Sequence, residues 1–485
     1  MSESELWSGP ELWTGLGLFV PLQARMSGKV PAFVSGISID TRTVQPGDLF
    51  FAIKGENNDG HDYVAAAFEK GAAAAVIDEA HANDLHGAGS LYVVQDVLQA
   101  MVRLGRAARA RSTAGIVAVT GSVGKTSTKE ALRVVLSRFG QTHASAASYN
   151  NHWGVPLTLA RLPREAQYGV FEIGMNHAGE ITPLVDMVRP HVAIVTTIAP
   201  VHLQHFGSVD AIADAKAEIF SGLEPNGVAI IHRDVAQFGR LREAAQAATS
   251  GNVWSFGKHE TADARLVSVT RAGSGSQVVA NVLGRELSYF VGAPGAHLAM
   301  NSLAVLLAAH AFSLDLDEAA AALADFVAPA GRGQSLSLRV GDGAFTLIDE
   351  SYNANPASMR AALTLLGQTP VAPNGRRIAV LGDMLELGPA AADLHRELAS
   401  AIEAAHIDMV FGAGPMTKHL FDALPARLQA RWAPASAGLT DAVIEAVGAG
   451  DAIMIKGSNG SRMAPIVAAL KDRYTQPAQD EDALC

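Results

Sequence analysis

Cysteine is almost absent from this chain of 485 residues, whose single thiol is that of Cys485. One thiol cannot form an internal disulfide, so the fold does not depend on an oxidising compartment. The opening residues also lack the basic segment of a secretory signal, since Glu3, Glu5 and Glu11 are acidic. We therefore expect a cytoplasmic protein.

Long apolar runs and basic blocks are missing as well. The richest apolar stretch, Leu298 to Phe312, is interrupted by Asn301, Ser302 and His310, whereas a membrane span needs about 20 consecutive apolar residues. Lys and Arg together number 37 against 48 Asp and Glu, a formal net charge of −11. We therefore expect no membrane insertion and no nucleic-acid partner.

Apolar residues make up 49% of the chain, which is too long for one hydrophobic core. We predict an α/β protein of three domains: a small N-terminal α/β domain at 1–112, a central P-loop domain with a doubly wound, mostly parallel sheet at 113–328, and a C-terminal Rossmann-like domain at 329–485. The central prediction rests on apolar strands that alternate with helices such as Val209 to Leu223. Ala264 to Val291 predicts antiparallel hairpins, and Val34 to Arg42 alternates like a strand.

The most informative stretch is a glycine-rich turn between the apolar run Ile116 to Val119 and a helix predicted from Thr126 onward. Backbone N–H groups in such a turn, with the helix dipole, bind phosphate. Lys125 would reach the β- and γ-phosphates, and Thr126 would give its hydroxyl to Mg²⁺. The residues predicted to bind the nucleotide here are Gly121, Ser122, Val123, Gly124, Lys125, Thr126 and Ser127.

One position departs from the usual phosphate-binding motif. A glycine is expected five residues before Gly124, and Val119 stands there. The turn therefore predicts nucleotide binding, but it does not by itself identify the class of NTPase.

Two polar residues follow later apolar strands. Glu172 ends the strand Val170 to Gly174, and His202 lies beyond the strand that begins at Ile194. Because ligands bind at the carboxyl ends of parallel strands, Glu172 is placed to hold a hard cation and His202 to bind a metal. The alternatives are a half-exposed glutamate and an ordinary surface histidine.

Lys216 lies on an amphipathic helix with Ala213, Ala217 and Phe220 on its side. A helical lysine is usually solvated, but this spacing indicates that its side chain points inward. Further candidates are Asn150 and Asn151 for substrate or phosphate contact, Asn301 and Arg332 for adenine and phosphates, and the loop residues Asp40, Thr41, Arg42 and Lys54, whose signal is weak.

These sequence motifs resemble those of the Mur ligases of peptidoglycan synthesis. The resemblance extends from Asp40-Thr-Arg42 to Lys456-Gly-Ser458. Ser351-Tyr-Asn-Ala-Asn-Pro356 resembles the member that adds a dipeptide, and the Asp-Asn-Pro-Arg string of the sibling that adds a diamino acid is not found. The other specific strings are Thr120-Gly-Ser-Val-Gly-Lys-Thr-Ser127, Asn150-Asn151 with Gly154-Val-Pro156, Glu172-Ile-Gly-Met-Asn-His-Ala-Gly-Glu-Ile181, Ala215-Lys-Ala-Glu-Ile-Phe220 and Gly382-Asp-Met-Leu-Glu-Leu-Gly388.

The resemblance implies an ATP-dependent amide ligase, which we expect to be a monomer. Its small-molecule substrates would be UDP-N-acetylmuramoyl-tripeptide and D-alanyl-D-alanine, joined through an acyl phosphate. Its cofactors would be two Mg²⁺ ions, held by Thr126, Glu172, His202 and Lys216, with Lys216 carbamylated by CO₂. The implied catalytic residues are Lys125, Lys216 and His202.

The resemblance also places Asn301 at adenine and Arg332 at the phosphates. The implied substrate-binding residues are Asp40, Thr41, Arg42, Lys54, Asn150, Asn151, Tyr352, Asn353 and Asn355. One pair departs from the family, because Asp349-Glu350 replaces the usual two aspartates. That replacement puts in doubt the approach of position 350 to the ribose.

Two other functions fit parts of the pattern. One is a related ligase with another acceptor, either a Mur ligase or one that adds glutamate to a folate. The other is a P-loop switch that hydrolyses nucleotide to change partners. The switch leaves Lys216 and the third domain unexplained.

Overall fold

The computed structural model describes residues 12–55, 57–145, 148–201 and 203–474. Among these residues the chain forms a five-stranded, a nine-stranded and a six-stranded sheet in chain order, with a two-stranded pair at the start. Parallel strands with helices between them dominate each large sheet. The predicted α/β fold is therefore confirmed, and the domain boundaries stay predictions.

The first sheet has the order β2-β7-β6-β5-β4, parallel except for β2, and β1 pairs with β3. The strands of this part are β1 Trp13–Thr14, β2 Arg25–Ser27, β3 Phe33–Val34, β4 Gly36–Ser38, β5 Asp48–Phe51, β6 Ala74–Asp78 and β7 Leu91–Val94. The helices are α1 Phe19–Leu22, α2 Val64–Glu69 and α3 Val97–Arg111.

The predicted strand from Val34 to Arg42 is wrong in its second half. β4 ends at Ser38, and the chain turns at once because the Asp40 carboxylate accepts a hydrogen bond from the Arg42 N–H at 2.9 Å. An aspartate that bonds the backbone two residues on forms a turn in place of a ladder.

The central sheet has the order β16-β15-β14-β13-β12-β11-β8-β10-β9, parallel from β9 to β14 and antiparallel in the β14–β16 meander. Its strands are β8 Gly115–Thr120, β9 Thr142–Ala144, β10 Tyr168–Glu172, β11 Val192–Val195, β12 Val228–His232, β13 Val253–Gly257, β14 Ala264–Ala272, β15 Gly275–Val282 and β16 Arg285–Val291. Its helices are α4 Lys125–Ser137, α5 Gly154–Ala160, α6 Ile181–Val188, α7 Leu203–Phe206, α8 Val209–Ala217, α9 Phe238–Ala248, α10 Ala296–Ala311 and α11 Leu316–Ala322.

The last sheet has the order β17-β18-β22-β19-β20-β21, parallel except for β17. Its strands are β17 Gln334–Val340, β18 Gly343–Glu350, β19 Arg377–Gly382, β20 Met409–Ala413, β21 Gln429–Ala433 and β22 Ala452–Lys456. Its helices are α12 Pro356–Gln368, α13 Ala391–Arg396, α14 Leu398–Ala404, α15 Thr417–Ala423, α16 Thr440–Ala446 and α17 Ala464–Arg473.

The first and central sheets share a packed core. Leu157 and Ala160 of α5 belong to the same buried cluster as Trp13 and the α3 residue Leu104. The Trp13 indole N–H donates to the Ala160 carbonyl at 3.2 Å, which reinforces the joint. No helix in the described part of the chain combines the length and apolar character that crossing a bilayer requires.

Candidate functional site

A cleft of 1310 Å³ opens at the carboxyl edge of the central sheet. The ends of β8, β10, β11 and β12 form its floor, because parallel strands deliver their carboxyl ends to one edge. Leu98 and Arg106 of α3 line it from the first part of the chain, and Arg332 and Tyr352 line it from the last. All three parts of the chain therefore line this cleft.

The glycine-rich turn lies on the cleft floor, between β8 and α4. Gly121 and Gly124 have φ values of 150° and 90°, which other residues rarely adopt. A Cβ on Gly124 would also lie 2.7 Å from the Asn301 side-chain nitrogen. The Lys125 ammonium donates to the Gly121 carbonyl at 2.7 Å, so this lysine curls back over the turn.

Val119, which replaces the usual leading glycine, is an ordinary buried strand residue. It pairs with Glu172 of β10 and with Ile194 of β11 in the sheet register. β8 therefore continues to Thr120, and the turn begins one residue later, at Gly121.

Glu172 is the buried acidic centre of the site, with only 1% of its surface exposed. The Thr126 hydroxyl donates to one carboxylate oxygen at 2.7 Å, and the Asn150 amide donates to the other at 2.8 Å. Both donors are neutral, so neither compensates the buried negative charge. A carboxylate beside a hydroxyl is the oxygen-rich donor set that Mg²⁺ prefers, and these residues therefore fit a magnesium ion.

Lys216 points inward, as its helical spacing predicted, and only 2% of it is exposed. Burial lowers the pKa of its ammonium well below the ordinary value, and the neighbouring Lys125 charge lowers it further. His202 lies outside the described residues, so its predicted metal-binding role stays a prediction.

Arg332 connects the last part of the chain to the segment beside the glycine-rich turn. Its guanidinium donates to the Ser148 hydroxyl at 3.0 Å and lies 3.9 Å above the Tyr352 ring. The Ser148 hydroxyl is 3.4 Å from that of Thr126, which in turn bonds Glu172. A continuous polar chain thus leads from Arg332 to the acidic centre.

Glu350 has a partner that the sequence did not predict. Its carboxylate accepts from the Lys456 ammonium at 3.0 Å, and this ammonium also donates to the Asn353 carbonyl at 3.0 Å. His297 faces the pair. Burial lowers the pKa of the His297 imidazole, with Glu350 opposing and Lys456 adding to the effect.

The structure brings most of the predicted site residues to the cleft. Its lining includes Ser122, Val123, Gly124, Lys125, Ser127, Asn150, Asn151, Glu172, Asn301, Arg332, Tyr352, Asn353 and Asn355. Asp40, Thr41, Arg42 and Lys54 do not line it. They lie in the loops after β4 and β5, where Asp40 bonds Arg42 at 2.6 Å and Lys54 lies 3.9 Å from Asp59.

Several polar lining residues were missed from the sequence. His232 ends β12 and Lys258 directly follows β13, which is the strand-end position that identified Glu172. The same signal could therefore have found them. His297 and Lys456 also line the cleft, but their partners come from distant segments of the chain.

Three family models match successive parts of the chain. The catalytic domain of the Mur ligase family matches residues 33–122, the Mur ligase middle domain matches residues 119–309, and the Mur ligase glutamate ligase domain matches residues 331–459.

Curated proteins of one name match over most of their length. The UDP-N-acetylmuramoyl-tripeptide–D-alanyl-D-alanine ligase of Escherichia coli (strain K12) is 34% identical over 444 residues, 91% of this chain and 95% of that protein. Its namesake from Rickettsia prowazekii (strain Madrid E) is 31% identical over 456 residues, 94% of this chain and 99% of that protein.

Solved structures agree with this match. The UDP-N-acetylmuramoylalanyl-D-glutamyl-2,6-diaminopimelate–D-alanyl-D-alanyl ligase of Acinetobacter baumannii has a TM-score of 0.80 at 28% identity and covers 96% of this chain and 100% of that one. The MurF ligase of Thermotoga maritima in complex with ADP has a TM-score of 0.74 at 23% identity, covers 90% of this chain and 98% of that one, and shows likeness of fold alone.

Proposed function

The chain belongs to the Mur ligase family, and from this we propose that it joins D-alanyl-D-alanine to UDP-N-acetylmuramoyl-tripeptide at the expense of ATP. The observation that carries the proposal is the polar chain from Arg332 through Ser148 and Thr126 to Glu172. It connects a phosphate-binding turn to a wall contributed by the last part of the chain, as a reaction between ATP and a second substrate requires.

In the first step, a carboxylate oxygen of the peptide attacks the γ-phosphorus of ATP. The bond from that phosphorus to the β-phosphate oxygen breaks, which yields an acyl phosphate and ADP. The N–H groups of the glycine-rich turn and the Lys125 ammonium would hold the phosphates. Lys125 and Arg332 would offset the negative charge that develops on the transferred group.

In the second step, the amine of D-alanyl-D-alanine attacks the acyl carbon. The tetrahedral intermediate loses an amine proton and expels phosphate, leaving the new amide. Asn353 and Asn355 line the cleft from the last part of the chain, and we assign them to the peptide and dipeptide. Asp40, Thr41, Arg42 and Lys54 would bind the UDP-sugar at the carboxyl edge of the first sheet.

Magnesium would be held by Thr126 and Glu172, with His202 and a modified Lys216 completing the ligands. When bound, magnesium supplies positive charge that offsets the phosphates. A depressed pKa favours the neutral, nucleophilic form of the Lys216 amine, whose nitrogen can bond the carbon of CO₂ and release a proton. The resulting carbamate is an anion with two oxygen donors.

Phosphate release in the presence of ATP, UDP-N-acetylmuramoyl-tripeptide and a panel of amines tests the proposal. We expect D-alanyl-D-alanine to stimulate release far above L-lysine, diaminopimelate or no acceptor. Equal release with all amines would exclude the dipeptide assignment, and release independent of any acceptor would favour a nucleotide switch.

The lysine carbamate has its own test. Lys216→Ala should lose ligase activity, and a short carboxylic acid such as acetate should restore part of it by occupying the space of the carbamate. Full activity of the variant without added acid would remove Lys216 from the reaction. The cytoplasmic location, the monomeric state and the lack of a nucleic-acid partner stay predictions.

A further inference from the structure

Lys129 is a fully buried lysine to which the proposed reaction gives no role. It lies on α4, one turn after Lys125. Its ammonium donates to the Ser145 carbonyl at 2.7 Å and pairs with the Glu130 carboxylate at 2.8 Å. Removal of an ammonium from water is costly even when the charge is paired. An apolar side chain would fill this space at lower cost, so the presence of the ammonium needs an explanation.

The carbonyl that Lys129 holds marks the point where the chain leaves the central sheet. β9 ends at Ala144, which is the last residue paired with β10. Ser145 is the first residue beyond this ladder, and its carbonyl accepts from a side chain of α4. A hydrogen bond from a charged donor is stronger than one between neutral groups. Lys129 therefore fixes the direction in which the chain leaves β9.

A second contact joins the same stretch of chain to α4. Thr126 precedes Lys129 by three residues, so both side chains lie on one face of the helix. The Thr126 hydroxyl is 3.4 Å from that of Ser148. Hydroxyl pairs usually bond at about 2.5 to 3.0 Å, so this contact is too long to hold Ser148 by itself. The bond from Lys129 to Ser145 is the stronger of the two attachments.

The Ser148 hydroxyl has only one productive orientation. Thr126 gives its single hydroxyl proton to Glu172 at 2.7 Å. Ser148 must therefore donate to Thr126, which leaves its oxygen to accept from the Arg332 guanidinium at 3.0 Å. A small displacement of Ser148 would break the contact with Arg332.

The residues just after Ser148 have their own attachment. The Gly174 N–H donates to the Asn150 carbonyl at 2.8 Å, and the Asn150 amide donates to Glu172 at 2.8 Å. Neither bond involves Lys129. Replacement of Lys129 should therefore displace Ser148 and leave Asn150 on Glu172.

We propose that Lys129 is a positioning residue of the ligase reaction. By holding the Ser145 carbonyl, it sets the Ser148 hydroxyl where the Arg332 guanidinium bonds it, and this bond orients Arg332 towards the phosphates of ATP. Lys129 lies outside the cleft lining, so it acts through Ser148 and does not touch the substrate. The inference deepens the proposed function and rests on it.

A double-mutant cycle tests this role. Acceptor-dependent phosphate release is measured over a range of ATP concentrations for the wild type, Lys129→Met, Arg332→Ala and the double variant. Each single change should raise the KM for ATP about tenfold, because each removes the contact between Arg332 and Ser148. The double variant should lie within about threefold of Arg332→Ala. Independent effects, which would multiply to about a hundredfold, would overturn the inference.

The KM also separates positioning from stability. A lysine that only stabilised the fold would change the amount of active enzyme, and so the maximal rate, without changing the KM for ATP. Glu130→Gln is the matched control, because it removes the charge that pairs with Lys129 but keeps an oxygen that can accept from it. This variant should leave the KM unchanged. A KM raised as far as in Lys129→Met would overturn the inference.

Two further variants cover a failure of Lys129→Met to fold. Lys129→Gln keeps a donor for Glu130 but is one atom shorter, and it should show the same coupling to Arg332→Ala. Ser148→Ala should raise the KM for ATP about tenfold, and an unchanged KM would overturn the inference even if neither Lys129 variant folds. These failures would occur in an active ligase, whereas a wild type without acceptor-dependent release would remove the proposed function itself.

Discussion

At the scale of single residues, burial decides the chemistry of the charged groups. Glu172 and Lys216 are both almost fully buried, but burial affects the two groups differently. Glu172 accepts two hydrogen bonds from neutral donors. Lys216 instead has a depressed pKa. A buried ammonium of this kind is retained at a cost in stability, which is typical of functional sites.

Replacement of Lys216 by methionine should separate that cost from function. In CO₂-depleted buffer without nucleotide, Lys216→Met should raise the free energy of unfolding by about 1 to 3 kcal/mol, because an apolar side chain of similar length replaces a buried polar amine. The variant should have no ligase activity. Urea denaturation measures the gain. Lys418→Met is the control, because its ion pair with Asp422 lies at the surface, and should change stability by less than about 0.5 kcal/mol.

His143 gives the protein a measurable sensitivity to acid. Burial lowers the pKa of its imidazole to about 4, with the hydrogen bond to the Thr158 carbonyl opposing and Arg161 adding to the effect. His143 is therefore protonated near pH 6.5 in the unfolded chain, but only near pH 4 in the folded chain. The stability that the neutral His143 imidazole contributes is fully present above pH 6.5, the pKa in the unfolded chain. It is lost as the pH falls from there towards the folded-state pKa of about 4.

His143→Gln should flatten this dependence. Between pH 7.5 and pH 4.5, the free energy of unfolding of the wild type should fall by about 2 to 3 kcal/mol more than that of the variant. Urea titrations at three pH values within this range measure the difference. Parallel curves for the two proteins would show that His143 does not titrate as described.

Part of the site was predictable at this scale because it depends on local position. Glu172 follows a strand, and Lys216 shares a helix face with apolar neighbours. The pairing of Glu350 with Lys456 was not predictable, because β18 and β22 become neighbours only in the folded sheet. The lack of a hydrogen-bond partner for the His232 ring nitrogens among the described residues was not predictable either. It arises because Asp234 accepts from the backbone N–H groups of Lys258 and His259 instead.

At the scale of elements, periodicity predicted part of the central sheet to within a few residues, as for the apolar run Ile116 to Val119, which lies within β8 Gly115–Thr120. The helix predicted over Val209 to Leu223 is an exception, since α8 ends at Ala217 and a 3₁₀ turn follows over Glu218–Gly222. A Cβ on Gly222 would lie 2.5 Å from the Val185 carbonyl, so the turn packs directly on α6. Sequence periodicity does not report such close approaches.

Two helical glycines should respond oppositely to alanine. A Cβ on Gly105 of α3 would lie 2.9 Å from the Pro156 carbonyl of α5, whereas one on Gly239 of α9 would meet nothing within 4 Å. Gly239→Ala should therefore stabilise the protein by up to about 1 kcal/mol through helix propensity. Gly105→Ala should destabilise it by about 1 to 3 kcal/mol, because the crowded backbone must shift.

Thermal unfolding of the two alanine variants beside the wild type measures both effects. A gain of stability in Gly105→Ala would show that α3 and α5 can separate without penalty.

At the scale of the whole molecule, Arg332 contacts Ser148 and so connects the last part of the chain to the segment beside the glycine-rich turn. Arg332→Ala removes its hydrogen bond to Ser148 and its stacking on Tyr352. We expect the KM for ATP to rise about tenfold, because charge-assisted hydrogen bonds contribute about 1.5 to 3 kcal/mol. Steady-state kinetics measure this rise. Arg339→Ala, on the exposed face of β17, should leave the KM unchanged, and equal KM values in both variants would exclude the bridging role.

The core shared by α3 and α5 also determines how this enzyme could be recombined with its relatives. In a chimera joined after Arg111, α3 would come from the relative and α5 from this chain. The relative would replace Trp13 and Leu104, whereas Leu157 and Ala160 of the same buried cluster would stay native. A junction after Leu162 would transfer both helices together and preserve their interface, but it would also exchange the phosphate turn. The first sheet and the glycine-rich turn of the central sheet are therefore inherited as one block in a recombined enzyme.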